Sequence, residues 1–169
     1  LSNNMRVSKK ELGDERSGAN FMVTSTLKYN HRTDDSHWEV RIPSCISECR
    51  PVVDEFIARA EMLGVTRTQA FALRNGFHEA VVNAVRHGNG QDPEKLVRIA
   101  YGFVGNDVWI EVEDQGPGFD ATIVADPCSD ANRERPGGRG LRLMQHFMSS
   151  VVYNDRGNCV RMLRVGAIG

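Results

Sequence analysis

The sequence predicts an α+β protein, a two-layer α/β sandwich in which a mixed, mostly antiparallel sheet is covered on one face by helices. Three observations carry that prediction. Helical periodicity comes first in the chain, alternating runs joined by tight turns come later, and 169 residues with 40% hydrophobic content suffice for one sizeable core.

Residues 1–20, "LSNNMRVSKKELGDERSGAN", are polar with little apolar periodicity and read as a flexible tail, leaving 21–169 as a single domain. A β-prone run from Phe21 to Leu27 and the alternating "HWEVRIP", with Trp38, Val40 and Ile42 on one face, predict two strands as an edge hairpin or dimer contact. A helix is expected to begin near Ser47 to Pro51 and to end at Gly64, because Val52, Phe56, Ala60 and Leu63 fall at helical spacing. "TRTQAFALRNGFHEAVVNAVRHGNG" is a second helix, capped by Thr66 or Thr68 and stopped by Gly88 or Gly90.

"KLVRIAYGFV" and "DVWIEVED" alternate on either side of Gly105-Asn106 and predict an antiparallel hairpin. Residues 115–139, rich in Gly, Pro, Asp and Arg, form a long loop of the kind that is usually functional. A short helix, "GLRLMQHFMSS", should turn Leu141, Met144 and Met148 inward, and "VVYNDRGNCVRMLRV" closes the domain as a hairpin turning at Arg156-Gly157.

A formal charge of −1 provides no basic field for nucleic acid or an anionic membrane. No run approaches a membrane span and no signal pattern opens the chain, so a cytoplasmic location is expected. Cys45, Cys49, Cys128 and Cys159 lack the paired spacing of a zinc site and are expected as reduced, partly buried thiols.

Three clusters carry chemistry. On the second helix, Leu73, Phe77, Ala80, Val81 and Ala84 form one stripe, while Glu79 and Asn83 lie opposite, one turn apart. That pair suits a solvated face, or a base beside a neutral hard oxygen for Mg²⁺. His87, one turn further, suits either ligand contact or capping of the helix C-terminus. In "EDQGPGFD", Asp114 shares the parity of Val108, Ile110 and Val112 and should point to the buried face, where a carboxylate needs a donor. Gly116 and Gly118 permit a sharp turn and close approach. "RPGGRGLRLM" runs a glycine-rich turn into a helix, an arrangement that offers backbone N–H groups to an anion, with Arg135 and Arg139 as added charge.

In this order, "HEAVVNAVRHGN", "EDQGPGF" and "GGRGLRLM" resemble the motifs of the GHKL ATPase superfamily, the Bergerat ATP-binding fold, and most closely its short single-domain branch, the anti-sigma factor serine-protein kinases. The resemblance implies ATP and Mg²⁺ as cofactors, with Asn83 on the metal, Glu79 as general base, and Asp114 accepting from the adenine amine. It makes Gly116 and Gly118 the hinge of an ATP lid and Gly138, Arg139 and Gly140 the turn that holds phosphates, with Leu141 and His87 counted beside them. It further implies a STAS-domain anti-sigma factor antagonist as phosphoryl acceptor, a sigma factor as the alternate partner, and a homodimer. An ATP-binding switch with little kinase activity and an excised histidine-kinase ATPase domain are the alternatives. The chain departs from the family's G-T-T before the final strand, with Asn158 and Cys159 there instead.

Overall fold

A computed structural model describes residues 29–31, 36–120 and 138–169. The expected tail 1–20, the run Phe21–Leu27, Cys128 and Arg135 lie outside them. Strand β1 (Tyr29–His31) and β2 (Ser36–Pro43) lead into α1 (Ile46–Met62) and α2 (Arg67–Asn83); β3 (Leu96–Val104) and β4 (Asp107–Glu113) follow, then α3 (Gly138–Phe147), β5 (Ser150–Tyr153) and β6 (Cys159–Arg164). The six strands are ordered β1-β2-β3-β4-β6-β5. Every pairing among them is antiparallel, the limit of the mostly antiparallel sheet expected.

One face of the sheet is apolar. Ile42, Val97, Ile99, Tyr101, Val108, Ile110, Val112, Val160 and Met162 join the helix residues Phe56, Leu73, Phe77, Val81 and Met144 in a single buried cluster. Phe56 is fully buried at its centre, edge-on to Phe77 and Tyr101 and stacked on Phe103. Burying a side chain of this size contributes about 1.5–3 kcal/mol, so this aromatic group dominates the attachment of α1 and α2 to β3.

The opposite face is charged. Arg98 pairs with Glu39, Glu111 and Glu113, and Arg161 pairs with Glu111. Burial would push the Glu111 carboxyl up, but hydrogen bonds from Arg98 and Arg161 outweigh it and hold it below the usual range.

The helices start close to where spacing puts them. Helix α1 begins one residue before Ser47, so Pro51 falls in its second turn and withholds a hydrogen bond from the exposed Ser47. Thr66 is the N-cap of α2, its hydroxyl accepting the Gln69 N–H at 3.3 Å. Cys45 is exposed, Cys49 is buried and its thiol pushed up to about 12 by burial, and all three described cysteines are free. Among the described residues no helix is long and apolar enough to cross a membrane.

Candidate functional site

Helix α2 brings Glu79 and Asn83 beneath the start of α3. Both are half-buried, not part of a wet face, because α3 packs against this side of α2. The approach is close: a Cβ on Gly76 would lie 3.0 Å from the Met148 sulfur, and one on Gly140 would lie 2.8 Å from Oε2 of Glu79. Glycines in the interior and first turn of two crossing helices are therefore packing choices, offsetting their conformational cost.

The structure corrects one expectation here. Gly138, Arg139 and Gly140 form the first turn of α3 itself, not a turn preceding the helix. Gly140 is wedged so closely against Glu79 and Asn83 that a side chain there would displace the Glu79 carboxylate. The first-turn N–H groups remain without intrahelical acceptors, so this end of α3 can still bind an anion. Arg139 is exposed, while Leu141 packs against the core.

The regular part of α2 also ends earlier than Gly88. From Ala84 to Gly88 the chain widens into a π-helical turn, with the Asn89 N–H reaching Ala84 O at 2.8 Å. Asn89 explains the change. Its buried side chain donates to Leu96 O at 3.0 Å and accepts the Gln115 N–H at 2.8 Å, tying the helix end to β3 and to the residues after β4. Such turns concentrate where a backbone must be re-aimed at a site.

What the turn aims is Gly88, whose added Cβ would stand 2.2–2.5 Å from the Asp114 carboxylate atoms. Gly116 closes the other side, with its N–H on Asp114 Oδ1 at 2.8 Å. A Cβ there would be 2.0 Å from Gly88 O. Asp114, the residue after β4, is half-buried, continuing the inward parity of Ile110 and Val112, and burial holds its carboxyl above the ordinary aspartate value, with the Gly116 N–H and the Arg156 charge opposing.

Tyr153 joins the two halves. Its hydroxyl is pushed up to about 12, chiefly by burial; the neighbouring Asn83 side chain opposes the rise and the Asp114 charge adds to it. Asn83 and Asp114 thus both lie near Tyr153. Phe119 covers Tyr153 edge-on at 4.9 Å, and its N–H bonds Arg156 O at 3.1 Å, so the chain leaving Asp114 runs along the β5–β6 turn.

His87 is exposed on the π turn, and its side chain makes no hydrogen bond, ion pair or ring contact among the described residues. Among those residues no group of three His, Cys, Asp or Glu side chains could hold a metal by itself. A cation would need oxygens from a ligand beside Asn83. Asn89 and Tyr153 escaped the sequence reading, and Gly88 entered it only as a helix stop. "HGN" after the helix was a signal for Gly88 and Asn89, while Tyr153 meets Asn83 from 70 residues away and left none.

Residues 43–164, well over half of the chain, match the histidine kinase-like ATPase domain family, and the α+β fold is consistent with it. The chain belongs to that family, whose domains bind ATP. It is 26% identical over 112 residues, covering 59% of this chain and 71% of the relative, to the serine-protein kinase RsbW of Oceanobacillus iheyensis. It is 28% identical over 126 residues, 64% of this chain and 90% of the relative, to an anti-sigma F factor of Clostridium perfringens. The serine/threonine-protein kinase BtrW of Bordetella bronchiseptica is 30% identical over 80 residues, 46% of this chain and 56% of that protein. These likenesses fall in the anti-sigma kinase branch of the GHKL superfamily.

Proposed function

We propose that this chain is an ATP-dependent serine-protein kinase and anti-sigma factor that phosphorylates a STAS-domain anti-sigma factor antagonist in a partner-switching pathway. The observation that carries the proposal is the meeting of Glu79, Asn83 and Gly140 at one end of a site whose other end is Asp114, held between Gly88 and Gly116. Relatives named as serine-protein kinases and anti-sigma factors support it.

In this reading the Asp114 carboxylate accepts from the exocyclic amine of adenine. The phosphates lie at the first turn of α3, where N–H groups without intrahelical acceptors and the positive end of the helix dipole favour anions and Arg139 adds charge. Asn83 fits a hard cation, because its amide oxygen is a neutral oxygen donor and the side chain lies against the first turn of α3. Mg²⁺ bound there would neutralise charge on the phosphate oxygens. Glu79 takes the proton of the attacking serine hydroxyl as the new O–P bond forms and the bond from the γ-phosphorus to the bridging oxygen breaks, releasing ADP. A homodimer fits the position of β1 at the edge of the sheet among the described residues, an edge that a second copy could extend.

The test mixes the full chain, Mg-ATP and a STAS-domain candidate and reads the candidate's intact mass. One phosphoryl adduct, absent with Glu79→Gln, is expected. ATP binding without an adduct on any candidate overturns the kinase reading in favour of a nucleotide-binding switch.

A further inference from the structure

We propose that Asn158, braced by Asn154, is a positioning residue that sets the purine preference of the site by holding Asp114 from behind. This rests on the reading of Asp114 as the acceptor of the adenine amine.

Asn158 is 6% exposed, and a buried amide must place all its polar atoms. It divides them between Asp114 and Asn154. Its backbone O accepts the Asp114 N–H at 2.9 Å, and its Nδ2 donates to Asp114 O at 2.8 Å. Both main-chain polar groups of Asp114 are therefore held by a single residue.

The orientation of that amide is forced by Asn154. Asn154 Oδ1 receives the Asn158 N–H at 3.1 Å and the Cys159 N–H at 3.2 Å, so it must be the oxygen. Its Nδ2 then donates to Asn158 Oδ1 at 3.0 Å, which leaves Asn158 Nδ2 as the only group facing the Asp114 carbonyl. A flipped Asn158 would set two donors face to face at one end and two oxygens at the other.

The same turn extends the grip. Arg156 Nη2 donates to Gly116 O at 2.9 Å, and a Cβ on Gly118 or Gly157 would lie 1.9 Å from the facing carbonyl of Arg156 or Phe119. Both glycines have positive φ, +78° and +74°, so the two segments can run this close only with glycine at both positions.

In front, Gly116 takes Asp114 Oδ1, and Oδ2 accepts no hydrogen bond among those described. One acceptor oxygen is left, fixed from both sides. A purine with an amine at that edge satisfies it, and one with a carbonyl there sets oxygen against oxygen. Loosening Asp114 would let the carboxylate turn away and tolerate the carbonyl.

The experiment measures ATP and ITP affinity by calorimetry, since the two differ at that edge, alongside melting curves for each variant. The wild-type chain is expected to prefer ATP. Asn158→Ala is expected to cut the ATP:ITP affinity ratio about tenfold. Asn154→Ala, at an exposed position, is expected to lower it in the same direction. General loosening would weaken both nucleotides alike and leave the ratio unmoved. If the wild-type ratio is near one, or Asp114→Asn leaves it intact, the reading of Asp114 falls and the inference falls with it. If Asp114→Asn abolishes the preference but both asparagine variants keep it, the inference alone is overturned.

Discussion

Gly140 meets the Glu79 carboxylate so closely that a Cβ at position 140 would stand 2.8 Å from Oε2, with both amide atoms of Asn83 at 3.3 Å. The obstructed atom is the tip of a flexible side chain, so the clash can be relieved by swinging Glu79 aside. Gly140→Ala should therefore fold as well as the wild type or better, since alanine gains about 0.5–1 kcal/mol over glycine inside a helix. Phosphoryl transfer should fall, by roughly a hundredfold for a displacement of this kind. Melting curves beside single-turnover transfer separate the two effects, and an unchanged rate removes Glu79 from the reaction.

Gly116→Ala should behave in the opposite way. Its Cβ would meet Gly88 O at 2.0 Å, a backbone atom fixed by the π turn. Relief requires moving the end of α2 from the residues after β4, with an expected loss of about 1–3 kcal/mol in denaturant unfolding and weaker ATP binding. Stability equal to wild type would mean that the Gly88–Gly116 contact is not tight in solution.

Asp114→Asn tests the adenine end and carries a definite sign. Burial raises the Asp114 pKa, so its contribution to stability is fully present below the ordinary aspartate pKa and is lost as pH rises through the raised value. At neutral pH the carboxylate is a cost. The asparagine variant can still accept the Gly116 N–H, so its melting temperature at pH 7 should equal or exceed that of the wild type while ATP affinity drops. ATP affinity of the wild type should also decline on acidification at a higher pH than an exposed aspartate would give.

The charged face of the sheet has the reverse dependence. Burial opposes ionisation of Glu111, but Arg98 and Arg161 more than offset it and lower the pKa, so its stabilisation is present above the ordinary glutamate pKa and is lost as pH falls through the lowered value. Glu111→Gln should cost about 1.5–3 kcal/mol at pH 7, the range for hydrogen bonds to charged groups. The gap from wild type should close in urea titrations run towards pH 3.

Much of this was legible from spacing. The stripe Leu73, Phe77, Ala80 and Val81 is buried on α2, Thr66 caps that helix, and Asp114 lies inward as its parity with Ile110 and Val112 requires. These features depend on residues within a few positions of one another. The π turn was not legible, because what widens the helix at Ala84 is Asn89 bonding Gln115, 26 residues away. The placement of Gly138–Gly140 inside α3 likewise depends on Glu79 and Asn83 across a helix crossing.

The amino-acid sequence by itself determined the element types, the inward faces and the order of three glycine-bearing motifs, since local dihedral preferences and apolar periodicity act over one or two turns. Only the tertiary structure decided that Asn158 and Asn154 hold Asp114, and that Tyr153 links Asp114 to Asn83. Those side chains are joined by burial and hydrogen bonding between segments far apart in the chain, and each finds its partner only once the sheet has brought β4 and β6 side by side.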